Sequence, residues 1–200
     1  MGIPKQAAIL CGGLGNRLRP ITDTLPKPMV PINGRPFLEY LLEQLKDQGV
    51  SEILLMTGYL GEQIQEYFGR GSKWGLEIQY SNGPVEWDTG RRLYEAESLL
   101  QNDFILMYSD NFVQVNLKKL TAFHGQSKKL LSFVVQPKLN ANISLGEEGA
   151  VTAYDKTRSA KDLNFVELGF MVTSKKIFDY YQEVDVSFSD IIVKLVSERR

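Results

Sequence analysis

The run Gln6-Ala7-Ala8-Ile9-Leu10-Cys11, followed at once by Gly12-Gly13-Leu14-Gly15, decides the fold. Its apolar residues do not alternate with polar ones, so the run reads as a strand buried on both faces. The glycines then end it abruptly in a loop whose backbone can approach a ligand closely. Strands of this kind belong to parallel sheets covered by helices, and the chain outward from this point agrees. Phe37, Leu38, Leu41, Leu42 and Leu45 make a helical stripe within 36–48 that Gly49 closes. Residues 53–57 read as a second strand, 62–68 as a helix, 78–80 as a third strand and 93–100 as a helix. Residues 104–108 (FILMY) form a strand whose end delivers Ser109-Asp110-Asn111. After a helix over 117–124, segments 131–136, 150–155 and 165–172 read as strands, and 189–196 as a last helix. This alternation predicts an α/β fold, a Rossmann-like three-layer α/β/α arrangement around a mostly parallel mixed sheet. Ligands in such sheets sit beyond the carboxyl ends of the strands, so the glycine loop and Asp110 should converge on one crevice.

A chain of 200 residues with 43% hydrophobic content supports one domain over 1–200, with a first half over about 1–115 and a second over about 116–200. Lys and Arg number 23 against 24 Asp and Glu, a net charge of -1, so no global field favours nucleic acid or an anionic membrane. Any anion must be bound locally. The single cysteine, Cys11, cannot form an internal disulfide, and the first six residues lack the apolar run of a signal peptide. No apolar run approaches the length that crosses a bilayer, and there is no low-complexity tract or internal repeat. A cytoplasmic location is the expectation.

Around the glycines stand Asn16, Arg17, Leu18, Arg19 and Pro20, then Leu25-Pro26-Lys27-Pro28. Three glycines admit backbone N–H groups to a phosphate chain, and two guanidiniums with one ammonium can neutralise it. The alternative is a glycine turn with surface cations. The loop is not a P-loop, since no Gly-Lys-Ser/Thr follows at the required distance, and Leu18 stands where a dinucleotide fingerprint needs its third glycine.

The longer run AAILCGGLGNRLRPITDTLPKPMVPINGRPFLEY resembles the signature of the sugar nucleotidyltransferase family: an apolar strand, GGxGxRLxPxT, a spacer, then PKPMxPxxGxPhxxY. The wording is most similar to guanylyltransferases acting on mannose or heptose 1-phosphates. The resemblance implies that Gly12, Gly13 and Gly15 shape a loop over a nucleoside triphosphate, flanked by Leu10 and Asn16. It implies that Arg17 meets the phosphates of the leaving pyrophosphate and that Lys27 reaches toward the α-phosphorus. Such transfer asks chiefly for alignment and charge neutralisation, with no protein nucleophile. Asp110 matches the family's Gly-Asp position, where the carboxylate holds Mg²⁺, with Ser109 in place of the glycine; a cap or turn role is the alternative. Asp155-Lys156 resembles the family's Glu-Lys-Pro element, the acid for a sugar hydroxyl and the lysine for the sugar phosphate. Glu167 and Gly169 align with Asn-Ala-Gly, so that Glu167 would accept from sugar hydroxyls and Gly169 would admit the ring. The implied substrates are a nucleoside triphosphate and a sugar 1-phosphate, and a homo-oligomer is a fold-level expectation.

Two departures stand out. Thr89-Gly90, expected beside the nucleotide, is followed by Arg91 and Arg92 where relatives carry small residues; these arginines either meet an acidic group or phosphate of the substrate or face solvent. Relatives also place a second metal-binding aspartate in a late Asp-Ile/Thr-Gly segment, and none follows Gly169. Asp190 reads as a helix-start residue, so the chain is expected to be shortened at its C-terminal end. His124, Cys11, Trp74, Tyr59 and Tyr67 read as packing residues, and Arg19 and Arg35 as surface arginines. Cytidylyl-, thymidylyl- or uridylyltransfer to another phosphorylated sugar or alcohol, or nucleotide binding without catalysis, remain alternatives.

Overall fold

The computed structural model describes residues 2–200. In chain order its strands and α-helices are β1 (Gln6–Cys11), β2 (Pro31–Ile32), β3 (Arg35–Pro36), α1 (Phe37–Asp47), β4 (Glu52–Thr57), α2 (Gly61–Phe68), β5 (Glu77–Asn82), α3 (Thr89–Glu95), β6 (Asp103–Tyr108), α4 (Leu117–Ser127), β7 (Leu131–Pro137), β8 (Ile143–Leu145), β9 (Val151–Tyr154), β10 (Phe165–Ser174) and α5 (Phe188–Ser197). Strands β5, β4, β1 and β6 lie side by side and parallel, with β1 in the centre pairing Ala8 to Leu54 on one side and to Leu106 on the other. Antiparallel pairing begins at β10, which runs against β6 through Phe170–Ser174 and against β7 along its other edge. Its first residue, Phe165, also meets Ile143 of β8, and β8 pairs with β9.

Strand side chains alternate between the two faces of the sheet, and that periodicity builds two cores. Ala7, Ile9 and Cys11 join Leu38, Leu41, Leu42 and Leu45 of α1, Ile64 and Phe68 of α2, and Leu117 and Leu120 of α4. Ala8 and Leu10 join Leu93 of α3, Ala96 just after it, and Ile191, Ile192 and Leu195 of α5 on the opposite side. The unbroken apolar run of β1 thus feeds both layers, as a strand covered on two faces must. No helix among the described residues is long and apolar enough to cross a membrane.

Helix ends follow local chemistry. Gly49, at φ 93, terminates α1 in the left-handed region, where its N–H donates to the Lys46 carbonyl at 2.9 Å. The helix expected over 93–100 begins earlier and breaks sooner. The Asp88 carboxylate accepts from the Thr89 N–H at 2.6 Å and starts α3 at Thr89, while a separate 3-10 turn covers Glu97–Leu99. Strand β8 and the short β2–β3 pair were not legible, because segments of two or three residues carry no period.

Candidate active site

A cleft of about 410 Å³ opens beyond the carboxyl ends of β1 and β6. Leu10, Gly12, Gly13, Gly15, Asn16, Arg17, Lys27 and Thr89 all line it, together with Asp110. Gly15 sits at φ 66, and a Cβ there would lie 2.9 Å from Thr22 Cγ2 and 3.1 Å from Lys27 Cβ, so side chains are refused on two counts. Thr22 Oγ1 donates to the Gly15 carbonyl at 3.0 Å, and the Tyr59 hydroxyl and Gln63 amide hold the carbonyls of Asp23 and Thr24 at 3.1 Å each. The segment between the glycines and Lys27 is therefore tied back to the start of α2. Tyr59, read as a packing residue, makes one of these ties.

Lys27 and Asp110, far apart in sequence, meet at the cleft: Lys27 Nζ donates to Asp110 Oδ2 at 2.7 Å. Both side chains keep partial exposure, 26% and 32%. Arg17 is exposed, lines the same cleft and makes no ion pair among the described residues, so its charge is available to a ligand. Ser109 is buried and donates to the Leu10 carbonyl at 2.7 Å, joining β1 to the end of β6 directly beside Asp110. A hydroxyl thus serves a strand-to-strand link at this strand end.

Thr89 Oγ1 accepts from the Phe188 N–H at 2.8 Å, which docks the start of α5 against α3. Gly90 does not line the cleft. Its role is contact, since a Cβ there would stand 2.4 Å from the Val186 carbonyl oxygen. The two arginines take different places. Arg91 lies away from the cleft, bound to Glu95 at 2.7 Å and Asp185 at 3.0 Å with its guanidinium over the Trp87 ring. Arg92 is only 4% exposed and donates to carbonyls of Thr57, Gly12, Gly83 and Pro84. Spacing alone leaves Arg92 between substrate and solvent, and the crossing of three strand ends that buries it is a tertiary property.

The residues expected to meet the second substrate gather around β9 and β10 at the far side of Tyr108. Gly169 lies at φ 75 in a bulge between Glu167 and Met171, and a Cβ would meet Tyr108 Cδ2 at 2.9 Å. Glu167 Oε2 accepts from the Gly169 N–H at 2.7 Å, and burial pushes its carboxyl pKa up, with the neighbouring Asp110 charge adding to the effect. Lys156 donates to Asp190 at 2.5 Å and to Ser187 at 3.1 Å. The Asp155 carboxylate is turned into its own loop, accepting from Thr157 Oγ1 at 2.6 Å and from the N–H groups of Thr157, Ser159 and Ala160. These bonds hold its pKa well below the usual carboxylate range, the Thr157 side chain contributing most. Tyr108 and Trp87 also line the cleft and were not singled out; Tyr108, as the last residue before Ser109, was the one with a readable signal.

The remaining residues take structural roles. Asp190 completes a capping box with Ser187 at the start of α5. His124 is buried against Ser132 Oγ at 2.9 Å, and burial lowers its pKa. Cys11 is fully enclosed, its thiol pushed up to about 12 by burial. Trp74 donates to Glu39 at 2.9 Å and Tyr67 donates to the same carboxylate at 3.2 Å. Arg19 makes a surface pair with Asp23 at 3.2 Å, whereas Arg35 is held by Glu39 at 2.6 Å and by Glu43.

Comparison with known proteins reaches the same place. The family model described as nucleotidyl transferase matches residues 6–194. A D-glycero-alpha-D-manno-heptose 1-phosphate guanylyltransferase from Campylobacter jejuni is 33% identical over 190 residues, 94% of this chain and 84% of that protein. A protein of the same name from Aneurinibacillus thermoaerophilus is 36% identical over 133 residues, which span 66% of this chain and 57% of that protein. The crystal structure of HddC from Yersinia pseudotuberculosis superposes with a TM-score of 0.77 at 26% identity, covering 92% of this chain and 83% of that one. With the glycine loop, Lys27 and Asp110 assembled at the strand ends and the family pattern running through nearly the whole length, the chain belongs to the nucleotidyl transferase family.

Proposed function

We propose that this protein transfers a nucleotidyl group from a nucleoside triphosphate to a sugar 1-phosphate, forming a nucleoside diphosphate sugar and pyrophosphate, with GTP and mannose or D-glycero-D-manno-heptose 1-phosphate as the pair. The observation that carries this reading is the meeting of Lys27 and Asp110, 2.7 Å apart, in a cleft roofed by the glycine loop. A phosphate oxygen of the acceptor attacks the α-phosphorus in line, the bond to the bridging oxygen breaks, and pyrophosphate departs. Glycine-loop N–H groups and Arg17 take the leaving phosphates, and Lys27 lies over the α-phosphorus, where negative charge accumulates. Thr89 borders the same nucleotide space, and the Lys156 and Glu167 side chains, with Gly169, would receive the sugar phosphate and its hydroxyls.

Asp110 suits Mg²⁺, which takes one or two carboxylates alongside phosphate oxygens and water. No group of three or more His, Cys, Asp or Glu side chains forms a cage among the described residues, and a shared protein–phosphate site needs none. Bound there, Mg²⁺ would supply charge neutralisation at the α-phosphate. The two halves, about 1–115 and 116–200, are read as serving nucleotide and acceptor in turn, a division supported by the parallel strands β5, β4, β1 and β6, which all lie before residue 115. A cytoplasmic location fits this reading, in which neither substrate is a nucleic acid or a membrane lipid.

The test is pyrophosphate release with Mg²⁺, GTP, ATP, CTP, UTP and dTTP, each against a panel of sugar 1-phosphates. Turnover of GTP with a manno-configured 1-phosphate is expected. Turnover with another base changes the assignment of the donor, and nucleotide binding without pyrophosphate release from any pair refutes catalysis.

A further inference from the structure

Arg92 is a cation in an unusual position. The residue is 4% exposed at the floor of the cleft, and no carboxylate lies within ion-pair distance of it among the described residues. Burying a cation without an anionic partner is costly, and a guanidinium does not escape that cost by losing its proton. Burial pushes its pKa down from the ordinary value, with the more distant Asp88 and Glu86 opposing. Carbonyl oxygens supply the compensation. Nη1 donates to Thr57 at 2.6 Å and Gly83 at 3.4 Å, and Nη2 to Pro84 at 2.6 Å and Gly12 at 3.3 Å. These carbonyls belong to the chain leaving β1, β4 and β5, so one side chain gathers three strand ends beneath the cleft.

Two glycines make room for it. A Cβ on Gly12 would lie 2.2 Å from Arg92 Cζ, and one on Gly58 would lie 2.4 Å from Nη2. The peptide between Gly12 and Gly13 is planar and trans, so its carbonyl and its N–H point in opposite directions. With the Gly12 carbonyl held by Arg92 and by the Tyr59 N–H, each at 3.3 Å, the Gly13 N–H is aimed away from the guanidinium. That N–H has no partner among the described residues, and Gly13 lines the cleft with nothing within 4 Å of where its Cβ would be.

We propose that Arg92 is a positioning residue for nucleotidyl transfer: by anchoring the Gly12 carbonyl it presents the Gly13 N–H to the triphosphate. The inference rests on the nucleotidyltransferase reading above. It assigns Arg92 no contact with the reacting atoms. Loss of the guanidinium leaves the Gly12 carbonyl with the Tyr59 N–H alone, loosens the Gly12–Gly13 peptide and weakens recognition of the triphosphate, while the acceptor side is untouched.

The experiment compares wild type, Arg92→Met and Arg92→Lys by steady-state pyrophosphate release, varying GTP and mannose 1-phosphate independently, or the pair that the wild type turns over best. Unfolding midpoints are measured in parallel. Arg92→Met is expected to raise KM for the triphosphate about tenfold to a hundredfold, the scale of one hydrogen bond to a charged group, with KM for the acceptor changed less than about twofold. Arg92→Lys, whose ammonium can reach some of the carbonyls without spanning all of them, is expected to fall between. A merely structural role lowers the active fraction and leaves both KM values where they were, which would overturn the inference. If Arg92→Met does not fold, Arg92→Lys decides alone: a raised triphosphate KM supports the inference and an unchanged one overturns it. A wild type silent with every pair overturns the nucleotidyltransferase reading, and the inference with it, whereas an active wild type with indifferent variants overturns the inference alone.

Discussion

Replacing Lys27 with alanine should separate stability from catalysis by a wide margin. The Lys27–Asp110 pair is short, 2.7 Å, but its side chains are 26% and 32% exposed, so water screens most of the attraction. Pairs of this kind contribute about 0–1 kcal/mol to folding. For a chain of this size such a loss moves the unfolding midpoint by at most about 4 °C. The same ammonium placed over a phosphorus gathering negative charge is worth about 2.7–4 kcal/mol in the transition state, or a fall in kcat of about a hundredfold to a thousandfold. Calorimetry and a pyrophosphate-release assay on Lys27→Ala read the two quantities independently. The resting pair adds a third expectation. Asp110 is engaged by Lys27 before any metal binds, so its release should tighten half-saturation by Mg²⁺, by no more than about fivefold for 1 kcal/mol. An unchanged kcat would remove Lys27 from the reaction. A midpoint lowered by more than about 10 °C would show that the pair is a structural element and that the catalytic loss cannot be read as transition-state stabilisation.

Gly90→Ala drives a methyl to 2.4 Å from the Val186 carbonyl and should cost about 1–3 kcal/mol in chemical denaturation, whereas Gly13→Ala, with open space around it, should leave stability unchanged and raise KM for the triphosphate. Glu167→Gln keeps an oxygen for the Gly169 N–H but loses the charge, so KM for the sugar 1-phosphate should rise about tenfold while KM for the nucleotide stays constant, as initial-rate measurements will show. His124, whose pKa burial lowers from 6.5, takes up a proton in the unfolded chain that the folded one refuses, so its contribution is present above about pH 6.5 and is lost as pH falls below that value. Urea titrations between about pH 7.5 and about pH 5.5 should therefore show a shallower loss of stability on acidification in His124→Gln than in wild type.

What was legible in the amino-acid sequence was whatever depends on a period or on a backbone requirement. The apolar run from Gln6 to Cys11 could be read as a doubly covered strand because a strand with two buried faces has no polar side, and the structure sends its alternate residues into both cores. The leucine stripe of α1 and the glycine that ends it were equally local. Gly15 and Lys27 carried a motif because a phosphate-binding turn constrains φ and charge over a few residues. Contacts across distance were decided by the tertiary structure. Arg92 reads as a cation for substrate or for solvent until β1, β4 and β5 bring four carbonyls around it, and Arg91 beside it turns instead to Glu95 and Asp185. Asp155 spends its oxygens on its own loop, and Asp190 divides its carboxylate between Ser187 and Lys156. Periodicity and turn chemistry act through neighbours in the chain and are written in the residues themselves. The burial of a charge and the choice of its partner depend on where the rest of the sheet arrives, and only the folded molecule settles them.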